Sequence, residues 1–396
     1  MTMITFETND NLGYYLVGEE KFHHKVMALI RATETNHFPE WHFNRDEFGR
    51  LDWFVEPETS LKELYRIRAQ QLRDRYDYIR LEFSGGADST MVLYSFLNNG
   101  IHLDEIVTRW PKAGQQHIPA DPFNTTPENT MSEWTYACKP MLQWIQTYSP
   151  RTKITIVDFS DDMLLGKHDE SWIYRTKEWL LPCYPFKTAV DSTVEHKKTL
   201  DSGKSVCVLW GVDKPKLCIK DQKWYLYFMD MQANDSSPDT GAYTNMTNEF
   251  FYWSADLPEL VCKQAHIVKN WFNQPINQHL QHLVRWPNYS ITQRAAFESL
   301  VKPLIFPDYD PTTFQVGKTT SNFYNEMDAW FFPNFKDSEY LKAWNAGIKY
   351  LVNKIDPKYF NYDIGVPTGF VGFIGSFYEL GPAVYKSNGI NDHFRF

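Results

Sequence analysis

The sequence shows no segment with the pattern of a membrane-spanning helix. It also has no net positive charge of the kind that binds nucleic acids. No apolar run approaches the roughly 20 residues of a transmembrane helix. The first residues, MTMITFETND, lack the basic start and apolar core of a secretory signal. With 49 acidic and 40 basic residues the formal charge is −9, which argues against a generic electrostatic grip on DNA or RNA but leaves a local basic patch open. We therefore expect a cytoplasmic protein without a membrane partner.

Cysteine is scarce and scattered. The five cysteines form no C-x-x-C pair, so the sequence shows no zinc-site spacing and fits a reducing compartment. They are Cys138, Cys183, Cys207, Cys218 and Cys262. Aromatic residues are abundant, with 14 Trp, 23 Tyr and 28 Phe. We expect most of these rings in the core and some of them to stack on bases or flat substrates.

Alternating strand and helix patterns dominate the middle of the chain. Ser60 and Glu63 form the capping box of a helix in SLKELYRIRAQQLRDRY. The strand YIRLEF, a glycine turn and a helix over 89–99 follow, with Gly100 at the helix end. LDEIVTRW, KITIVDFS and SVCVLWG have the pattern of three further strands. This order predicts an α/β fold with a parallel sheet flanked by helices, in which the glycine turn and the loop after Gly211 converge at one edge.

The glycine turn has the composition of a phosphate-binding loop, although it lacks the lysine of the common P-loop G-x-x-x-x-G-K-[ST]. Gly85 and Gly86 permit positive φ and let the backbone approach an anion, while successive amides and the start of the helix point at one spot. The hydroxyls of the turn add donors, and Asp88 is suited to cap the helix or to hold Mg²⁺. The candidate nucleotide-binding residues here are Ser84, Gly85, Gly86, Ala87, Asp88, Ser89 and Thr90.

The segment SGGADST resembles the PP-loop, S-G-G-x-D-S, of the ATP pyrophosphatase superfamily, also called the adenine nucleotide alpha hydrolases. Asparagine synthetase, argininosuccinate synthase, GMP synthetase, tRNA thiolation and lysidine enzymes, the queuosine-precursor synthase and phosphoadenylyl-sulfate reductases belong to this superfamily. The whole chain is also similar to uncharacterised PP-loop proteins of large tailed bacteriophages, which are labelled asparagine-synthase-like or phosphoadenylyl-sulfate-reductase-like. A phage origin would place the protein in the host cytoplasm.

The resemblance implies a Rossmann-like PP-loop (HUP) fold, an enzyme, and ATP and Mg²⁺ as its cofactors. Members of the superfamily let a substrate oxygen attack the α-phosphate, release pyrophosphate and form an adenylylated intermediate from which a nucleophile displaces AMP. Positive charge and Mg²⁺ must stabilise the departing pyrophosphate. Asp88 is then expected to be a catalytic residue and the Mg²⁺ ligand.

Basic residues outside the turn are candidates for the missing positive charge. The loop LWGVDKPK offers Lys214, which we expect to be catalytic, and Lys216, and it resembles the lysine-bearing loops that family members bring to the phosphates. Arg109, which precedes Trp110 after the second strand, is a candidate for contacting the nucleotide, and Lys139 is a further candidate. The alternative for each of them is an ordinary charged residue of the surface.

The chain divides into three predicted parts. Residues 1–58 are an N-terminal extension, residues 59–230 the PP-loop ATP-binding domain, and residues 231–396 an aromatic-rich, α-rich C-terminal lobe. We expect this lobe to recognise the acceptor, which the sequence does not identify.

Local patterns near the second boundary predict three elements. KLCIKDQKWYLYFMD predicts a hairpin that turns at Asp221 and Gln222. Asp256 and Glu259 are expected to cap a helix that has Pro258 in its first turn. SEYLKAWNAGIKYLVNKI predicts another helix.

The branch of the superfamily stays open. Sulfur-transferring members usually carry cysteine motifs that this sequence lacks, so Cys138 or Cys183 would have to act alone. A glutaminase domain with a cysteine at position two is not expected, because Thr2 stands there and too few residues precede the turn. We expect an AMP-forming ligase or transferase that prepares an acceptor for attack by an amine or ammonia, with sulfur transfer as the alternative. A non-catalytic nucleotide-binding protein and a nucleic-acid modifying enzyme are two further alternatives.

Overall fold

A five-stranded parallel sheet forms the centre of the protein in the computed structural model. The structure describes residues 9–110, 131–174, 194–230, 243–287, 291–310, 334–362 and 369–384, together with residues 112, 113, 121, 123, 180 and 182. The strands are β1 (Tyr14–Val17), β2 (Glu20–Phe22), β3 (Pro39–His42), β4 (Tyr78–Glu82), β5 (Glu105–Arg109), β6 (Lys153–Val157), β7 (Val206–Trp210), β8 (Lys216–Lys220), β9 (Lys223–Met229), β10 (Met246–Phe250) and β11 (Ile374–Pro382). The α-helices are Lys25–Thr35, Arg45–Gly49, Leu61–Arg75, Ala87–Leu97, Lys139–Tyr148, Ser160–Leu165, Val194–Asp201, Pro258–Asn273, Ile291–Ile305 and Glu339–Lys354. Three 3₁₀ segments, Asp10–Leu12, Glu170–Tyr174 and Gln278–Val284, and a π-helical turn, Trp134–Cys138, complete the described elements.

The strand order of the central sheet is β10-β7-β4-β5-β6. From β4 the chain proceeds to β5 and β6 on one side, then returns to β7 and β10 on the other, and all neighbouring strands are parallel. The direction of the connections therefore reverses between β4 and β7, which is where ligands bind in doubly wound α/β sheets. This confirms the predicted parallel sheet flanked by helices, and the topology is compatible with a Rossmann-like fold.

One face of the sheet is apolar and is covered by two helices that flank β4 in the sequence. Ile79 and Leu81 of β4 are fully buried there against the helices Leu61–Arg75 and Ala87–Leu97. Ser60 caps the first helix as predicted, because its hydroxyl accepts a hydrogen bond from the amide of Glu63 at 3.2 Å. The cap and this buried face fix the helix beside β4.

The opposite face carries buried charges. Successive side chains of a strand point to opposite faces, and Arg80 and Glu82 of β4 lie on the same side as Arg109 of β5. Arg80 Nε donates to Glu82 at 3.1 Å, and Arg109 pairs with the same carboxylate. The helix Val194–Asp201 covers this face and brings the buried His196 to it.

Two antiparallel sheets of three strands accompany the central one, in the orders β2-β1-β3 and β11-β9-β8. The hairpin of β8 and β9 turns at Asp221 and Gln222, whose φ values of 49° and 60° confirm the predicted turn. Strands β10 and β11 both follow residue 230, yet β10 pairs with β7 and β11 with β9. The predicted boundary at 230 therefore falls between strands of the same sheets, and the division into three domains stays a prediction.

A buried carboxylate ties distant parts of the chain together. Asp230 lies at the end of the hairpin and accepts from Tyr15 at 2.6 Å and from the amide of Phe373 at 2.8 Å. Lys25 Nζ lies 2.7 Å from the same carboxylate. Removing one partner of such a buried pair typically costs about 3 to 5 kcal/mol, so this contact anchors the N-terminal residues to the hairpin and β11.

The helix Pro258–Asn273 begins differently from the prediction. Pro258 occupies its first turn as expected, but its N-cap is Leu257 and no side chain caps it. Asp256 instead pairs with Arg75 at 2.7 Å and Arg68 at 3.5 Å. The predicted capping pair of Asp256 and Glu259 is therefore wrong, because two guanidinium groups hold the carboxylate.

The other predicted helices are present with small shifts. The helix after the glycine turn begins at Ala87, two residues before the predicted start, and Gly100 adopts the expected positive φ of 68°. The helix Glu339–Lys354 is capped by Ser338. Over the part of the chain that the structure describes, no helix has the length and apolarity needed to cross a membrane.

Stability should respond to acid through His196. Burial, reinforced by the positive charges of Arg80 and Arg109, lowers the pKa of His196 to about 3 from an ordinary value of 6.5. As the pH falls from 6.5 towards 3, the unfolded chain therefore binds a proton that the folded chain does not, and stability decreases. Urea denaturation over this range should show a smaller decrease for His196→Gln than for the unchanged protein. Parallel decreases in the two proteins would show that His196 already accepts the proton when folded.

Candidate functional site

The glycine turn lies between β4 and the helix Ala87–Leu97. Gly85 has φ of +73°, and a Cβ placed on it would lie 2.6 Å from the backbone of Cys138. Glycine is therefore required there both by the backbone conformation and by the close contact. Gly86 has φ of −72° and is the N-cap of the helix, so the expected positive φ at this second glycine is wrong.

The side chains of the turn differ in exposure. Ser84 is exposed, and its Oγ accepts from the amide of Gly86 at 3.2 Å and lies 3.3 Å from Ser89 Oγ. Ser89 is buried and donates to the carbonyl of Gly86 at 3.2 Å. Ala87 and Thr90 are also buried. The polar side chains that a ligand can reach from solvent are thus those of Ser84 and the half-buried Asp88.

The loop after β7 converges on this turn as predicted. A Cβ on Gly211 would lie 3.2 Å from the backbone of Asp88 and Ser89, so the two loops are in close contact. Lys214 extends from this loop, and its Nζ lies 2.9 Å from both carboxylate oxygens of Asp88. The adjacent ends of β4 and β7 explain this convergence, because parallel neighbouring strands end at the same edge.

Five charged groups meet around the two loops. Lys214 Nζ lies 2.9 Å from Asp88, 3.2 Å from Asp213 and 4.0 Å from Glu298, whereas Lys216 Nζ lies 2.5 Å from Asp213 and 3.4 Å from Glu298. Burial by itself would lower the pKa of Lys214, but the three carboxylates outweigh it and raise that pKa above its ordinary value. Both lysines are buried, and the group carries one net negative charge.

Two residues of this site had no recognised signal in the sequence. Glu298 belongs to the helix Ile291–Ile305 and reaches both lysines from a distant part of the chain. Tyr252 follows β10, and its hydroxyl donates to the backbone carbonyl of Asp88 at 2.7 Å. Burial raises the pKa of Tyr252 well above its ordinary value, so its hydroxyl stays protonated as a donor. If the strand β10 had been predicted from the sequence, Tyr252 would have been recognised as a residue of the loop that leaves this strand.

The remaining candidates lie outside this group of contacts. Arg109 is buried on the charged face of the sheet and pairs with Glu82. Trp110 is buried, and its indole donates to Thr108 Oγ1 at 2.8 Å. Lys139 is exposed at the start of its helix, next to Cys138.

The described cysteines are buried. Cys138 has no exposed surface, and its Sγ lies 3.3 Å from Thr108 Oγ1. Burial raises the pKa of Cys207, and it raises those of Cys218 and Cys262 to about 12. Cys183, the other candidate sulfur carrier, lies outside the described residues.

A scan against protein-family models finds no match, and a search of curated proteins finds none either. The resemblance to the PP-loop superfamily therefore stays a prediction that rests on SGGADST and on the loop that carries Lys214. Among the described residues, no group of three or more His, Cys, Asp or Glu side chains is arranged to hold a metal ion.

Gly85 provides a direct test of the turn. Gly85→Ala and Gly100→Ala both place alanine at positive φ, which costs about 1 to 2 kcal/mol. Only Gly85 also has a backbone neighbour within 4 Å of the new Cβ. We expect Gly85→Ala to lower the free energy of unfolding, measured in urea, by more than Gly100→Ala does. Equal losses would show that the turn is not packed against Cys138.

Proposed function

We propose that the protein is a PP-loop ATP pyrophosphatase, an enzyme that adenylylates an acceptor and releases pyrophosphate. The observation that carries this proposal is the contact of Lys214 Nζ with both oxygens of Asp88, 2.9 Å away. It joins a glycine turn without its own lysine to a lysine from the neighbouring strand-exit loop. This juxtaposition lies where doubly wound sheets bind nucleotides, and it supports the finer assignment of a PP-loop (HUP) fold.

The charge of the site favours a metal-bound nucleotide over a bare anion. Asp88, Asp213 and Glu298 outnumber Lys214 and Lys216 by one charge. Mg²⁺ is normally held by one or two carboxylates together with substrate phosphates, and the half-exposed Asp88 carboxylate fits that role. When it is bound, such an ion would neutralise part of the negative charge of the phosphates.

The residues of the chain have distinct roles in this proposal. The backbone amides of the turn and the exposed hydroxyl of Ser84 bind phosphate oxygens at the start of a helix. The ammonium of Lys214 stabilises negative charge as the bond between the α-phosphorus and the bridging oxygen breaks and pyrophosphate departs. The acceptor oxygen forms the new bond to the α-phosphorus. An amine or ammonia then attacks the adenylylated acceptor, and AMP leaves.

Sulfur transfer remains the alternative reaction, but the described cysteines do not favour it. A sulfur carrier must be accessible and must ionise. Cys138, Cys207, Cys218 and Cys262 are all buried. The other alternative is a protein that binds nucleotide without turnover, and product analysis distinguishes it from an enzyme.

Product analysis tests the reaction class. The protein is incubated with Mg²⁺, radiolabelled ATP, ammonium and fractions of small metabolites, and the nucleotides are separated by chromatography. We expect AMP and pyrophosphate in the fraction that contains the acceptor, and no products from Asp88→Ala or Ser84→Ala proteins that remain folded under the assay conditions. Formation of ADP and phosphate would contradict the proposal, and nucleotide binding without any turnover would favour the non-catalytic alternative.

Lys214 is tested by a matched pair of substitutions. Lys214→Met should reduce AMP formation about 100- to 1,000-fold, the usual effect of removing one group that stabilises transition-state charge. Lys223 is the control, because it is also paired with a carboxylate, Glu379 at 2.9 Å, but is half exposed at the hairpin. Lys223→Met should retain full activity. Full activity in Lys214→Met would show that this lysine does not serve the phosphates.

A further inference from the structure

A second concave site is formed by β3, Trp286 and the chain around the start of β11. Its volume is about 700 Å³, which lies within the roughly 300 to 1,000 Å³ of typical small-molecule sites. Aromatic rings make up much of its lining, namely Phe38, Trp41, Trp286, Tyr359, Phe373 and Phe377. None of these residues belongs to the glycine turn or to the loop that carries Lys214.

The rings of this aromatic cavity are held in place while part of their surface stays accessible. Phe38 is 67% exposed and Phe377 is 37% exposed. Phe38 packs against Phe373 with ring centroids 5.7 Å apart, and Phe377 meets Trp286 edge-on at 5.1 Å. Positioned aromatic rings that keep exposed surface are suited to contact with the flat ring of a ligand.

Positive charge accompanies the rings. Arg45 and Lys358 line the cavity and are exposed, as is the carboxylate residue Glu40 in the same lining. Arg45 Nε donates to Ser376 Oγ at 3.0 Å, which holds the exposed guanidinium beside β11. Lys358 Nζ lies 3.1 Å from Asp356, so the guanidinium of Arg45 is the cation best suited to recognise a phosphate group here.

The strand register relates the cavity to the lysine loop. Lys216 pairs with Tyr227, and Tyr227 pairs with Phe377, so the three side chains lie on one face of the three-stranded sheet. Two strand spacings separate Lys216 from Phe377, or about 10 Å. The cavity is therefore a neighbour of the phosphate loops and has its own set of binding groups.

We propose that the aromatic cavity binds a free mononucleotide, with the base against Phe38, Phe377 and Trp286 and the phosphate at Arg45. A base supplies the flat ring, and its phosphate supplies the charge that the guanidinium recognises. This site is additional to the one at the glycine turn, and it does not depend on the reaction proposed there.

Calorimetric titration with UMP and with uridine tests the proposal in the unchanged protein and in single variants, among them Asp88→Asn at the glycine turn. We expect one UMP to bind per chain. Phe377→Ala should weaken UMP and uridine binding roughly 5- to 150-fold, as for other losses of base stacking. Arg45→Ala should weaken binding of UMP but not of uridine. The controls are Phe123→Ala, at a ring that is 91% exposed, and Arg50→Ala, at an exposed arginine that does not line the cavity, and both should leave affinity unchanged.

Three results would overturn the proposal. UMP binding that is lost in Asp88→Asn and indifferent to Phe377→Ala would place the ligand at the glycine turn, and the proposed ATP reaction would stand without the second site. Binding of a short single-stranded oligonucleotide, sensitive to Phe377→Ala, in the absence of UMP binding would assign the cavity to a polymer. No binding of either probe to the unchanged protein would remove the cavity as a nucleotide site. A failure of ATP turnover alone would leave the cavity proposal intact.

Discussion

The ion pair between Asp88 and Lys214 is the interaction on which the site depends. It joins the first turn of a helix to the loop of a neighbouring strand, with Lys214 Nζ 2.9 Å from both carboxylate oxygens. Lys214 is almost fully buried, so its charge must be balanced by the carboxylates around it. Losing one partner of such a pair typically costs about 3 to 5 kcal/mol. The same contact therefore fixes the two loops and presents the ammonium beside a glycine turn.

The surrounding fold makes this contact possible. Adjacent parallel strands β4 and β7 end at the same edge of the sheet, and the direction in which the connections cross the sheet reverses between them. Tyr252, which follows β10, stabilises the turn because its hydroxyl donates a hydrogen bond to the carbonyl of Asp88. The later part of the chain thus contributes to the site through Tyr252 and Glu298, and it also forms much of the separate aromatic cavity.

Local signals explain what the sequence predicted well. The apolar runs of β4 and β7, the cap at Ser60 and the hairpin at Asp221 depend on neighbouring residues only, and each is present in the structure. The convergence of the turn with Lys214 followed from the order of strands and helices, which restricts the topology of a parallel sheet.

Long-range pairing explains what was missed. Asp256 has the spacing of a helix cap, but Arg68 and Arg75 hold it, and the sequence gives no sign of that contact. Arg109 lies at a strand end as the sequence indicates, and its pairing with the buried Glu82 is a contact that no local pattern shows. The participation of Glu298 depends on where a distant helix packs. Such charge pairs are set by tertiary structure and leave no local pattern.

In the proposed function, the glycine turn and Lys214 together bind the pyrophosphate part of a nucleotide. Isothermal titration of the full-length protein with pyrophosphate and Mg²⁺ tests it most directly, because no acceptor is needed. We expect binding of one pyrophosphate per chain that is strongly weakened by Lys214→Met and unaffected by Lys223→Met. Absence of pyrophosphate binding, or binding that is unchanged in Lys214→Met, would contradict it.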